Sequence, residues 1–173
     1  KGVIVLTALS ELSMTEDVFP ALVVGPLRVA RDVWPAEVAK WEHLRDLQCV
    51  PIIGTHCERL RAVKCDSPIY SINYENLGWL FEYWGEDRWP YKTVIADEST
   101  KLKGYRGSYR TSSTGKVFLH SDGGQRARAL GKVTHTKVKR FIELTGTPAP
   151  NGLKDLWGQL WYLDAGERLG RVY

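Results

Sequence analysis

The stretch Val94–Lys103 reads VIADESTKLK. An apolar run leads directly into two adjacent carboxylates, Asp97 and Glu98, then two hydroxyls, then lysines. The run is short and β-branched at its start, as a strand buried on both faces is. Like charges this close repel, and burial raises their cost. Two readings stand: a cation-binding pair held at a strand end, or a solvated acidic pair at an inert strand exit.

Outward from this strand the pattern repeats. ALVVG (residues 21–25), CVPIIGT (49–55), PIYSINYE (68–75) and FIELTGT (141–147) read as further strands. In VARDVWPAEVAKWEHLRDL, Pro35 fits the first turn of a helix that carries Val38, Trp41 and Leu44 at helical spacing. CERLRAVK reads as a short helix, NLGWLFEYWG as a helix closed by Gly85, and DLWGQLWYLDAG as one closing near Gly166. From Ser99 to Gly124 the pattern dissolves into Ser, Gly, Thr and basic residues. A long surface loop is expected there, with a small hairpin around KVFLH, and the following QRARALGKVTHTKVKR starts with a helical turn. Strand and helix in alternation predict a mainly parallel sheet with helices on both faces, a three-layer α/β/α domain. Ligands bind such sheets outside the carboxyl ends of the strands, which directs attention to the polar residues there.

The chain of 173 residues suits one domain, and no repeat or linker divides residues 1–173. With 43% hydrophobic and 25% charged residues the composition is that of a folded soluble protein, not a disordered one. No apolar run reaches the roughly 18 to 20 residues of a membrane span. No small-residue cleavage site follows the opening KGVIVLTALSEL, and no initiator Met precedes it, so the true N-terminus is expected upstream. A net charge of +4 permits a polyanionic partner without demanding one. Cys49, Cys57 and Cys65 lack zinc-site spacing even with His43 and His56 nearby, so reduced thiols are expected.

A second strand end stands out: LTGTPAPN, Leu144–Asn151. Gly146 permits a tight turn, Pro148 fixes the exit, and the hydroxyls of Thr145 and Thr147 sit at the sheet edge. The plainer alternative is a strand-to-helix turn with Asn151 as helix cap.

Together these motifs resemble the first motor domain of superfamily 2 helicases and translocases, closest to the Swi/Snf-type branch of phage and bacterial proteins. The residues that carry this are VIADESTKLKG as motif II, VVGPLRVARDVWPAEVAKW as motif Ia, SINYENLGWL in the motif Ib region, and LTGTPAPNGLKDLWGQLWYLD as motif III with its helix. The likeness runs through nearly the whole chain, in order. It implies a RecA-like domain that binds ATP and Mg²⁺. Asp97 would bind the Mg²⁺ and Glu98 would activate water. Thr145, Gly146 and Thr147 would couple the nucleotide site to nucleic acid. Pro26, Leu27 and Arg28 would lie beside the nucleic-acid backbone, with Asn73 and Tyr74 in support. The opening residues resemble the tail of a phosphate loop: Lys1 falls at the phosphate-binding lysine, and Gly2 falls where a magnesium-coordinating hydroxyl would be. The glycines of that loop do not precede Lys1, so the loop is read as truncated. Implied partners are duplex DNA, bound without sequence preference, and a second RecA-like domain bearing an arginine finger, with no membrane. Without that second domain the chain is expected to turn over ATP poorly or not at all. The implied setting is the cytoplasm of a bacterial or phage-infected cell. Two alternatives stay open: a nucleic-acid-binding module that has lost catalysis, and a P-loop NTPase motor of another kind.

The cations Lys101, Lys103, Arg106, Arg110, Arg126, Arg128, Lys132, Lys137, Lys139 and Arg140 follow the acids. They read either as phosphate contacts or as a solvated face. Arg28 and Arg31, just past a strand end, are stronger candidates for such contacts. Trp157 and Trp161, four apart, are expected in the core, and Trp79, Trp84 and Trp89 in packing beside the sheet.

Overall fold

Five short apolar runs build one parallel sheet in the computed structural model, which describes residues 1–122 and 124–170 (side chains excepted at 108, 109, 119, 121, 122 and 125). The strands are β1 (Ala21–Gly25), β2 (Cys49–Pro51), β3 (Ile69–Asn73), β4 (Thr93–Asp97) and, later in the chain, β7 (Arg140–Leu144). Their order is β2-β3-β1-β4-β7, every neighbouring pair parallel. β1 leads towards the β2 edge, whereas β3 crosses over β1 to reach β4, so the direction of winding switches at β1.

Alternation along each strand divides the apolar residues between two cores. Leu22, Val24, Tyr70, Ile72, Val94 and Ala96 face one side, where α3 (His56–Ala62), α4 (Leu77–Trp84), α5 (Gln125–Thr134) and α6 (Lys154–Asp164) cover them. Ala21, Val23, Ile69 and Ile95 face the other, under α1 (Gly2–Leu12) and α2 (Trp34–Lys40). This is the three-layer α/β/α, RecA-like arrangement expected from the sequence. Trp157 and Trp161 are core residues, 6% and 1% exposed. Each large side chain so buried stabilises by about 1.5–3 kcal/mol.

Several elements differ from the sequence reading. The helix expected to begin near Pro35 starts earlier: a π-helical turn, Val29–Val33, runs straight into α2. Pro35 has no N–H to offer inside a helix, and the Trp34 N–H bonds five residues back, to the Val29 carbonyl. α5 is a full helix of 10 residues rather than a single turn. The expected loop is largely structured as well. A 3₁₀ turn at Ser99–Leu102 is followed by β5 (Arg106–Thr111) and β6 (Val117–Asp122), an antiparallel ribbon separate from the main sheet. Gly123, in the same stretch, lies outside the described residues, as do residues 171–173.

Asn151 is not the cap of the last helix: its own N–H donates to Asp155 Oδ2 at 3.0 Å. α3 begins with a complete capping box between Thr55 and Glu58. Cys49 is buried, which pushes its thiol up to about 11, and all three cysteines are free. Among the described residues no helix is long and apolar enough to cross a membrane.

Candidate functional site

Parallel register brings the polar strand ends together. Gly25 lies opposite Asn73, Val24 opposite Ala96, and Asp97 opposite Leu144. Along one edge the sheet therefore presents Asn73–Tyr74, Pro26–Arg28, Asp97–Glu98 and Thr145–Thr147, in that spatial order. All of these residues were singled out in the sequence, and the fold gathers them at the carboxyl ends of four adjacent strands.

Asp97 is half-buried, and its Oδ2 accepts from Trp34 Nε1 at 3.0 Å. Trp34 sits on α2 at 2% exposure, so the aspartate is anchored by a rigid side chain rather than by a basic residue. Glu98 has φ 61° and ψ 51°, the left-handed region, where a non-glycine residue carries about 1–3 kcal/mol of strain. The buried Tyr74 hydroxyl donates to the Asp97 carbonyl at 2.9 Å and helps hold that turn. Burial raises the Tyr74 hydroxyl well above its ordinary value, and the Asp97, Glu143 and Glu98 carboxylates add to this. Asn73 is buried too: its amide donates to Glu75 Oε2 at 2.9 Å and accepts from Asn76 at 2.7 Å. Both residues are thus committed to hydrogen bonds within the fold, whereas Leu27 and Arg28 are exposed.

The threonine turn is tied to the acidic turn through a residue the sequence reading passed over. Gln159, on α6, is 2% exposed. It accepts from Ser99 Oγ at 2.9 Å and donates to the Pro148 carbonyl at 2.6 Å and the Asp155 carbonyl at 3.0 Å. One amide thereby links the residue after Glu98 to the residue after Thr147. A lone glutamine inside the apolar run WGQLWYL was the available signal. Within the turn, the Thr147 N–H donates to Thr145 Oγ1 at 3.1 Å. Thr145 is half-buried, and Gly146 and Thr147 are exposed. One position before β7 ends, Glu143 is pushed up to about 8 by burial, and its Oε1 has no hydrogen-bond partner among the described residues.

Lys1 is exposed and stands at the start of α1. α1 runs alongside α2: a Cβ on Gly2 would lie 3.0 Å from Glu37 Cγ, and Thr7 Oγ1 lies 2.8 Å from His43 Nε2. Both helices therefore begin toward the edge that carries Asp97. The first turn of α1 has no acidic residue and no side-chain cap.

As a metal site the edge offers few protein donors. Among the described residues no group of three or more His, Cys, Asp or Glu is placed to hold a metal ion. Mg²⁺ keeps most of its waters and is commonly bound by one or two carboxylates plus substrate phosphates. Asp97, with Oδ2 committed to Trp34, fits that mode of binding rather than a protein cage. A cavity of about 480 Å³ is lined by Glu75, Gly78, Lys101, Gly104, Gly124, Arg126 and Ala127; it adjoins the acidic turn, since the Lys101 N–H donates to the Glu98 carbonyl at 3.0 Å.

No protein-family model matches the sequence. Protein p41 of Acyrthosiphon pisum secondary endosymbiont phage 1 is 47% identical over 170 residues, which is 97% of this chain and 34% of p41. The chain thus spans about a third of the length of that curated relative. Among solved structures, the ATP-dependent Type ISP restriction-modification enzyme LlaBIII bound to DNA aligns with 85% of this chain and 10% of that one, at a TM-score of 0.45 and 13% identity. A likeness at that level carries no functional argument.

Proposed function

We propose that the chain is the ATP-binding RecA-like domain of an ATP-dependent DNA helicase or translocase of the Swi/Snf type, which works with a second such domain. The observation that carries this reading is the pairing of β4 with β7, which sets Asp97 and Glu98 beside the Thr145–Thr147 turn. Mg²⁺ bound there would neutralise charge on the phosphate oxygens. Asp97, steadied by Trp34, would hold the ion through its water shell. Glu98 orients the attacking water and takes its proton. Lys1 contributes positive charge at the start of α1, on the same edge. The threonine turn, joined to the acidic turn through Gln159 and Ser99, passes the state of the nucleotide toward Pro26, Leu27 and Arg28 and the DNA backbone beside them. The DNA is held through its phosphates, without sequence preference.

Gly2 motivates a second reading, a nucleic-acid-binding module without catalysis, because glycine offers no hydroxyl to a metal ion. Titration of the intact protein with a fluorescent ATP analogue separates the two. The motor reading expects Mg²⁺-dependent binding, weakened at least about tenfold by Asp97→Ala, the loss of roughly 1.4 kcal/mol. No nucleotide binding, or equal binding by Asp97→Ala, refutes it.

A further inference from the structure

We propose that the β5–β6 ribbon and the cavity at its root form a surface that binds a nucleic-acid strand. The proposal rests on the reading above, in that it presumes a nucleic-acid partner, but it concerns residues to which that reading gives no role.

The ribbon pairs from Arg106 opposite Asp122 to Thr111 opposite Val117. Its tip is closed by hydrogen bonds between Ser112 and Lys116, between Gly115 and Ser112, and between the Ser112 and Thr114 hydroxyls. Near the tip, Phe118 is 44% exposed and Val117 61% exposed. Phe118 lies directly opposite Arg110, and Lys116 adjoins Val117. Arg110 and Lys116 are exposed and make no ion pair among the described residues. An exposed aromatic ring flanked by cations suits a base stacked between phosphates.

The cavity lies where the ribbon joins the domain. Gly104 precedes β5 and Gly124 follows β6, and both line it, with Gly78 of α4. A Cβ built on any of these three glycines would meet nothing within 4 Å, so the walls are bare backbone that a ligand can approach closely. Lys101 and Arg126 supply positive charge, and the described carboxylate in the lining is Glu75. Arg126 Nη1 lies 3.1 Å from Glu75 Oε1, with both side chains about half exposed. A phosphate entering the cavity takes Glu75's place on Arg126, and Lys101 completes its neutralisation. Glu75 is thus a built-in competitor that weakens binding and keeps it reversible. Charge complementarity favours a polynucleotide over an apolar partner, and Phe118 favours one with an accessible base face.

The test is fluorescence anisotropy of the full chain with a labelled mixed-sequence oligonucleotide, single-stranded and duplex, between 50 and 200 mM salt. Arg110→Ala with Lys116→Ala is expected to flatten the salt dependence, lowering the log–log slope by about 1.4 on single strands or 1.8 on duplex. Phe118→Ala is expected to weaken single-strand binding about fivefold or more with the slope unchanged. Glu75→Gln is expected to tighten binding. As a control, Arg45→Ala with Lys64→Ala removes the same charge from the β2 side and is expected to bind as the unaltered chain does. These ribbon side chains are exposed, and circular dichroism checks that each variant is folded. Ribbon variants that bind like the unaltered chain overturn the proposal, as does a control that loses as much as they do. Competition by polyglutamate as effective as that by unlabelled oligonucleotide also overturns it, in favour of an acidic protein partner. An unaltered chain that binds neither nucleic acid overturns it as well, and Mg²⁺-dependent nucleotide binding that is lost in Asp97→Ala then shows that the ATP-binding reading stands without it.

Discussion

Replacing Glu143 with glutamine tests whether the edge of the sheet holds a neutral acid. Burial pushes this carboxyl from 4.5 up to about 8. Between those values the unfolded chain has released the proton and the folded chain has kept it. The stability contributed by the neutral form is therefore fully present below about pH 4.5 and is lost as pH rises through 8. At about 1.4 kcal/mol per pH unit, the whole window is worth about 5 kcal/mol, of which about 3 kcal/mol is already lost at pH 7. Glu143→Gln is neutral throughout, although its buried amide costs about 1–3 kcal/mol if left without partners. The variant is accordingly expected to match or fall below the native chain at pH 5 and to exceed it by about 2 kcal/mol at pH 8. Urea unfolding followed by tryptophan fluorescence at half-unit steps from pH 5 to 9 measures the difference directly, because every other titrating group is common to both chains. A difference that stays constant between pH 5 and 8 refutes the assignment.

Other substitutions probe the supports of the site. A Cβ on Gly158 would lie 2.5 Å from the Lys103 carbonyl oxygen, a backbone atom that cannot step aside. Gly158→Ala is expected to cost at least about 1–3 kcal/mol, seen as a lowered melting temperature. Trp34→Phe removes the donor to Asp97 and is expected to cost about 1.5–3 kcal/mol in urea unfolding while weakening Mg²⁺-dependent nucleotide binding. Thr55→Ala breaks the capping box of α3, remote from the acids, and is expected to cost about 1 kcal/mol with nucleotide binding unchanged.

The main sheet was legible because its strands are continuous apolar runs that end abruptly in polar residues. VIADES and FIELTGT each announce both a strand and the point where it stops, and parallel register then brings those stops together. What escaped were features set by contacts distant in sequence. Nothing local to Trp34 says that its indole meets Asp97, 63 positions along the chain. Gln159 shows only as a polar interruption, and its partner Ser99 lies 60 positions away. The π turn is hidden because Pro35 has the look of a helix start, whereas it sits inside a helix already under way. The ribbon looks like loop in the sequence because Ser, Thr, Gly and Arg dilute its alternation. α5 looks shorter in the sequence than it is for a related reason. Ala127, Leu130 and Val133 recur at helical spacing, but the arginines and lysines between them obscured the stripe.

One consequence follows from the unequal cover of the two strands that carry the site. β4 has a neighbour on each side and is buried from Thr93 to Ala96, whereas β7 is bonded to β4 alone within the described sheet and is only partly buried along its whole length. Amide protons on the outer side of β7 should exchange with solvent well before those of β4. Mild heating would then loosen the threonine turn while the acids stay anchored, so the two halves of the site melt at different temperatures.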